Sequence, residues 1–226
     1  MRTPHPIRTV LLGVCGLAVA MSCLGIPGAA AQDAEPLRGP EAFADVADEA
    51  ERSRALFVES GKVWLHARCV NCHPAGDQPL QGETGQARLH DPPAFRGRVN
   101  FGVPAMRCDS CHMEENVEHA RVPGAPRWHL APSSMAWEGK SLGYVCRQIQ
   151  DPERNGGLTL EELHTHVAED ELVAWGWEPG PGLEPAPGTQ ARFAELVRAW
   201  IDSGAQCPPE PMKSETSETS EKEAVR

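Results

Sequence analysis

Cys69-Val70-Asn71-Cys72-His73 and Cys108-Asp109-Ser110-Cys111-His112 decide how this chain is read. Each is a C-x-x-C-H run. Two thiols three residues apart can form thioether bonds to the two vinyl groups of one haem. The histidine directly after the second cysteine can then bind the iron as proximal ligand. The spacing therefore predicts two covalently attached c-type haems, held by Cys69, Cys72, Cys108 and Cys111, with His73 and His112 on iron. Paired C-x-x-C runs also build structural zinc sites, but a cysteine-only zinc site has no need of the adjacent histidine. Thioredoxin-like chemistry calls for one pair at a helix start after a strand, and no strand pattern precedes either pair. A plain disulfide framework is the third alternative.

The chain before the motifs supports export. Met1 to Thr9 carries Arg2 and Arg8 and no acid, an apolar run follows from Val10 to about Ile26, and Gly28-Ala29-Ala30-Ala31 closes it. This pattern predicts a secretory signal over 1–31, cut after Ala31, and a periplasmic mature protein. Ser22, Cys23, Gly25, Pro27 and Gly28 interrupt the apolar run, which disfavours a retained membrane anchor. Ala20-Met21-Ser22 is a poor signal for lipid modification at Cys23. Removing two of the 21 bases and no acid leaves 19 bases against 32 acids, a balance of −13. That balance argues against nucleic acid or an anionic membrane as partner.

The cysteine count then closes. Of eight cysteines, Cys15 and Cys23 leave with the signal and four hold haem. Cys146 and Cys207 remain, and in an oxidising compartment they are expected to pair. The alternative makes Cys146 a small buried hydrophobe on its helix face.

Composition sets the fold class. Among 226 residues, 40% are hydrophobic but only 5% aromatic, and Gly and Pro number 21 each. A side-chain core this thin needs help, and two porphyrins can supply large planar apolar bodies. The expectation is a mainly α fold: a compact cytochrome-like dihaem domain over 41–207, with about four helices and long Pro/Gly-rich loops. Residues 32–40 read as a loose leader. Helical periodicity covers Glu41 to about Ser60 through Phe43, Val46, Ala47 and Ala50, with Gly61 as an interruption. Ser141 caps a helix carrying Leu142, Val145, Cys146 and Ile149. Thr159 and Glu162 form a capping box, and Thr189 caps a helix with Phe193, Leu196, Val197, Trp200 and Ile201 on one face. The Ser-Glu-Thr repeat within 208–226 predicts a disordered acidic tail.

The sixth iron ligands are candidates only. His90 and His129 lie in Pro-stiffened loops that can carry a ligand across a haem face. Periodicity sets His164 nearer the buried face of its helix than His166. Met106, two residues before Cys108, is the methionine candidate. His66, His119, Met113 and Met135 complete the set of possible ligands.

Beyond its two motifs the chain resembles the c-type cytochromes, and more narrowly a bacterial family of secreted dihaem proteins labelled as an isoquinoline 1-oxidoreductase subunit. The resemblance covers most of 69–207. It is carried by Asn71-Cys72-His73-Pro74-Ala75-Gly76-Asp77, Gly102-Val103-Pro104-Ala105-Met106-Arg107-Cys108, Trp128-His129-Leu130-Ala131-Pro132, Met135-Ala136-Trp137-Glu138-Gly139-Lys140-Ser141-Leu142 and Leu172-Val173-Ala174-Trp175-Gly176-Trp177. It matches the family's helical histidine to His166 rather than His164. The family's segment before the double proline is richer in histidine than this chain, which has only His90 there. The label implies an electron-accepting subunit for a molybdenum hydroxylase, and nothing in this chain binds molybdenum. The expected function is periplasmic electron transfer with a redox protein partner, a dehydrogenase or hydroxylase or a respiratory acceptor. The rival readings are a haem enzyme, such as a peroxidase or small-molecule reductase with an open iron site, and a gas-binding sensor.

Overall fold

The computed structural model describes residues 36–210. The expected signal segment, 1–31, and residues 211–226 of the expected tail lie outside the described residues. Four helices of eight residues or more make the frame: α1 (Glu49–Trp64), α3 (Leu142–Ile149), α4 (Leu160–Glu169) and α6 (Gln190–Asp202). Two short helices, α2 (Ala67–Val70) and α5 (Glu171–Ala174), sit beside them. Helix α6 is the hub: α1 and α4 pack on it, and α3 packs on α1. No helix among the described residues is long and apolar enough to cross a membrane.

The apolar stripes read from the sequence meet in one core. Phe57, Val63 and Trp64 of α1, Ile149 of α3, Leu163 and Val167 of α4, and Phe193, Leu196 and Trp200 of α6 are all buried together. The caps form as the side-chain chemistry requires. Ser141 accepts from Tyr144 N at 3.0 Å, Thr159 and Glu162 form the reciprocal capping box, and Thr189 accepts from Arg192 N at 3.1 Å. Gly61 does not interrupt α1. It lies inside the helix, where a Cβ would meet Leu142 Cδ2 at 2.6 Å, so the glycine lets α3 approach.

The start of the domain differs from the periodicity reading. Pro40–Phe43 is a single 3-10 turn, and α1 begins only at Glu49, capped by Asp48, whose carboxylate accepts from Glu51 N at 2.7 Å. Of the supposed stripe before it, only Phe43 is buried, while Ala47 is exposed. The capping aspartate defines the helix start more firmly than a short apolar spacing. The described part of the leader, 36–40, is docked. Leu37 is buried, and Arg38 donates from its backbone N and its Nε, each at 2.9 Å, to the Glu59 carboxylate. Burial alone would raise the Glu59 carboxyl, but Arg38 and Lys62 hold it below its ordinary value.

The long loop between the motifs contains two minimal antiparallel hairpins, β1 (Leu80–Gln81) with β2 (Arg88–Leu89) and β3 (Gly102–Val103) with β4 (Met106–Arg107). A two-residue strand leaves no alternating pattern to read, so the sequence hides it. Strand β4 leads directly into Cys108, so the expectation that no strand precedes either cysteine pair does not hold for the second. At the other end, Cys146 and Cys207 are joined by a disulfide, with Cα atoms 5.6 Å apart and a sequence separation of 61. Closing a loop of that length is worth about 4 kcal/mol in the chain-entropy account.

Candidate functional site

The first motif grows out of the core. Trp64 ends α1, and His66 caps α2 by accepting from Arg68 N at 3.2 Å. Cys69 sits on α2, and the chain turns through Cys72 N to Cys69 O (3.1 Å) and His73 N to Val70 O (2.9 Å). The His73 carbonyl then accepts from Trp137 N at 2.9 Å. The His73 ring donates from Nδ1 to the Met135 carbonyl at 2.7 Å and lies face to face on Trp137, with centroids 3.4 Å apart and planes 5° from parallel. Trp137 is itself fixed, because its indole N–H donates to buried Gln148 Oε1 at 2.6 Å. A donor bond from Nδ1 sets the tautomer and leaves Nε2 as the lone-pair atom, which is how a metal-binding histidine is normally oriented.

Beside this motif lies a cavity of about 450 Å³. Trp64, Trp137, Leu163, Val167 and Phe193 give it an apolar wall, and Cys69, Cys72 and His73 all line it. His129 and His166 reach it from two other parts of the chain, and Met135 also lines it. The cavity thus takes His166 and not His164, against the periodicity reading. The reason is local: Leu163, His166 and Val167 stand at i, i+3 and i+4 on one face of α4, and that face turns toward the motif. His166 Nδ1 is 3.5 Å from Asp170 Oδ2, and the hydrogen bond with His166 brings the Asp170 carboxyl down to about 2.

Burial governs the chemistry here. It pushes the Cys69 thiol up to about 12, with Cys72 adding to the effect, and pushes Cys72 up to about 11, with Cys108 of the second motif adding. The two motifs are therefore within electrostatic range of each other. Burial also drives His73 down to about 3, against the opposing pull of its bond to Met135 O. Neutral thiols and a neutral imidazole facing an apolar wall suit a large planar apolar group. Arg68, also in the wall, keeps its Nε buried without a hydrogen-bond partner, although its guanidinium NH2 meets Glu83. A carboxylate on the bound group can satisfy such a donor.

The second motif repeats the local construction on loops. A 3-10 turn, Cys108–Ser110, follows β4, and His112 N bonds to Cys108 O at 3.0 Å. Gly102 makes the hairpin before it possible: at φ +93° a Cβ there would meet Met106 O at 2.6 Å. The His112 ring donates from Nδ1 to Pro123 O at 2.7 Å and stacks on Trp128 at 4.5 Å and 8°. Burial lowers His112, with the bond to Pro123 O opposing it and the nearby His90 adding to it. His90 itself donates from Nδ1 to Pro92 O at 2.7 Å. Its ring centroid is 5.9 Å from that of His112. Met106 is 41% exposed on β4.

The two sites share a wall. Trp175 lines the first cavity and packs edge-on against Trp128 at 4.8 Å. Asn116 joins the same pieces, since its Oδ1 accepts from Trp175 Nε1 and from Gly124 N, both at 3.0 Å. Gly124 follows Pro123, whose carbonyl holds His112. Sequence reasoning missed Arg68, Asn116 and the stacking roles of Trp128, Trp137 and Trp175. The available signal was the scarcity of aromatics: in a chain with six tryptophans, two directly beside a candidate histidine or in a Pro/Gly loop are worth notice.

Among the described residues, no three His, Cys, Asp or Glu side chains are grouped to hold a metal ion by themselves. The two cysteine pairs thus do not converge into one four-thiolate cluster. No protein-family model, curated protein or solved structure matches this chain.

Proposed function

We propose that this protein is a periplasmic dihaem c-type cytochrome that carries electrons between redox partners. One observation carries the reading. The same arrangement is built twice, from unrelated local structure: C-x-x-C-H, the histidine Nδ1 donating to a backbone carbonyl at 2.7 Å, and the imidazole face on a tryptophan. A repeated orienting shell has a clear purpose if each Nε2 binds iron. Cys69 and Cys72 would hold one haem and Cys108 and Cys111 the other, with His73 and His112 as proximal ligands. When bound, the haem irons supply one-electron exchange between Fe(III) and Fe(II).

The chain's own residues set the conditions of that exchange. Trp137 and Met135 hold the His73 ring, and Trp128 and Pro123 hold that of His112. The first site has an apolar wall, while the second lies among loops with Cys111 exposed. The disulfide Cys146–Cys207 and the N-terminal pattern support an oxidising compartment. The acidic balance suits a basic patch on a redox protein, and the family resemblance makes a molybdenum hydroxylase the first partner to try.

The reading is tested by titrating the purified holoprotein with reductant under anaerobic conditions. Uptake of two electrons per chain, with no reaction of either oxidised haem with peroxide, fits a carrier. A high-spin haem that turns over peroxide indicates an enzyme, and tight CO binding to the reduced, unmodified protein indicates a gas sensor.

A further inference from the structure

The second site offers more than a proximal ligand. His90 directly follows β2, and its backbone is fixed from two sides: its N–H donates to Pro79 O at 2.9 Å and its carbonyl accepts from Gln78 Nε2 at 2.8 Å. Its ring is fixed as well, by the Nδ1 bond to Pro92 O. His90 and His112 are thus held in the same way, each with Nδ1 on a backbone carbonyl and Nε2 left as the lone-pair atom. The two rings come from different loop segments, 22 residues apart in sequence. Their centroids are nonetheless 5.9 Å apart, with planes at 62°. Two bonds of about 2 Å from imidazole nitrogens to one metal, plus the two ring radii, place centroids about 6 Å apart. An edge-on ring contact also spans this distance, so the spacing gains its meaning from the two lone-pair nitrogens and from the place of His112 in its C-x-x-C-H run.

From this spacing we infer that His90 and His112 are the two axial ligands of the second iron, which makes that site bis-histidine and coordinatively closed. The inference rests on the dihaem reading and specifies its second centre. It also replaces Met106 as the sixth ligand there. The consequence is functional: a closed site passes electrons and has no open position for peroxide, CO or another small ligand. The residue is supplied by the loop that follows the first motif, so the second centre is assembled across both halves of the attachment region.

The test uses the full holoprotein, its haem content counted by pyridine haemochrome, and the spectra of His90→Ala and His90→Met. In the wild type the second haem should be low-spin in the ferric state. His90→Ala should convert half of the total haem to a high-spin form and let half of the reduced haem bind CO, and added imidazole should restore the low-spin spectrum. His90→Met should keep that haem low-spin and raise its potential, since methionine ligation raises it. The same measurements on His119→Ala, an exposed histidine elsewhere, should match the wild type. Two haems per chain with unchanged spin state in His90→Ala overturn the His90 assignment and leave the dihaem reading standing. A wild-type chain without haem overturns the reading itself.

Discussion

The two motifs have the same five-residue grammar and different surroundings. The first is continuous with the helical core: Trp64, Trp137 and Phe193 are both core residues and cavity wall. The second stands on two-residue strands and a 3-10 turn, and most of the large exposed hydrophobics cluster near it in sequence: Leu89, Phe95, Val99, Met106 and Met113. One local arrangement is built beside a helical core and again on loops. The difference teaches that histidine orientation comes from short-range bonds, while burial comes from the fold around them.

The largest expected effect breaks the comparison at its root. Cys69→Ser with Cys72→Ser should remove one haem and leave the core around an unfilled cavity. The apolar wall of that cavity would lose the burial the haem gives it, a large loss against a total domain stability of about 5–15 kcal/mol. The variant should lose its cooperative thermal transition by circular dichroism. Cys108→Ser with Cys111→Ser should also lose one haem yet keep the helical signal and a cooperative melt. Equal damage from both would show that the two settings do not differ.

Next come the tryptophans. Trp137 is 4% exposed and hydrogen-bonded to Gln148, so Trp137→Ala should cost about 3–5 kcal/mol. Trp128 is only partly buried, and Trp128→Ala should cost less than half as much in denaturant titrations. Reducing the Cys146–Cys207 bond should remove about 4 kcal/mol or less, felt in the helical frame at the first site and not in the spectrum of the second haem.

The smallest effect is electrostatic. Glu59 has a folded carboxyl below its ordinary value, so its contribution is complete above the unfolded pKa of about 4.3 and is lost as pH falls through the folded one. The wild type should therefore lose stability on acidification through the carboxylate range. Glu59→Gln should start less stable near neutrality and show a flatter dependence there.

Much of the helical region was legible in the sequence because its signals are physical and local. Ser141, Thr159 and Thr189 each bond the amide three residues on, and the stripe of Phe193, Leu196, Val197 and Trp200 can face only one way. The start of α1 was misread because Phe43, Val46, Ala47 and Ala50 mimic a helical face without being buried as one. The two C-x-x-C-H runs stand out in the sequence because haem attachment, where it occurs, imposes that spacing. Their surroundings do not: the stacking of Trp137 on His73, the approach of His90 to His112, and the choice of His166 over His164 depend on chain crossings that no local pattern encodes.

The central claim is most directly tested by the haem count of the mature chain, produced with the cytochrome c maturation machinery. Pyridine haemochrome and intact mass together should show two covalent c-type haems per chain, falling to one in either cysteine-pair variant that can be recovered. A chain that carries zinc, or a third disulfide-type pairing of the motif cysteines, and no covalent haem would contradict it.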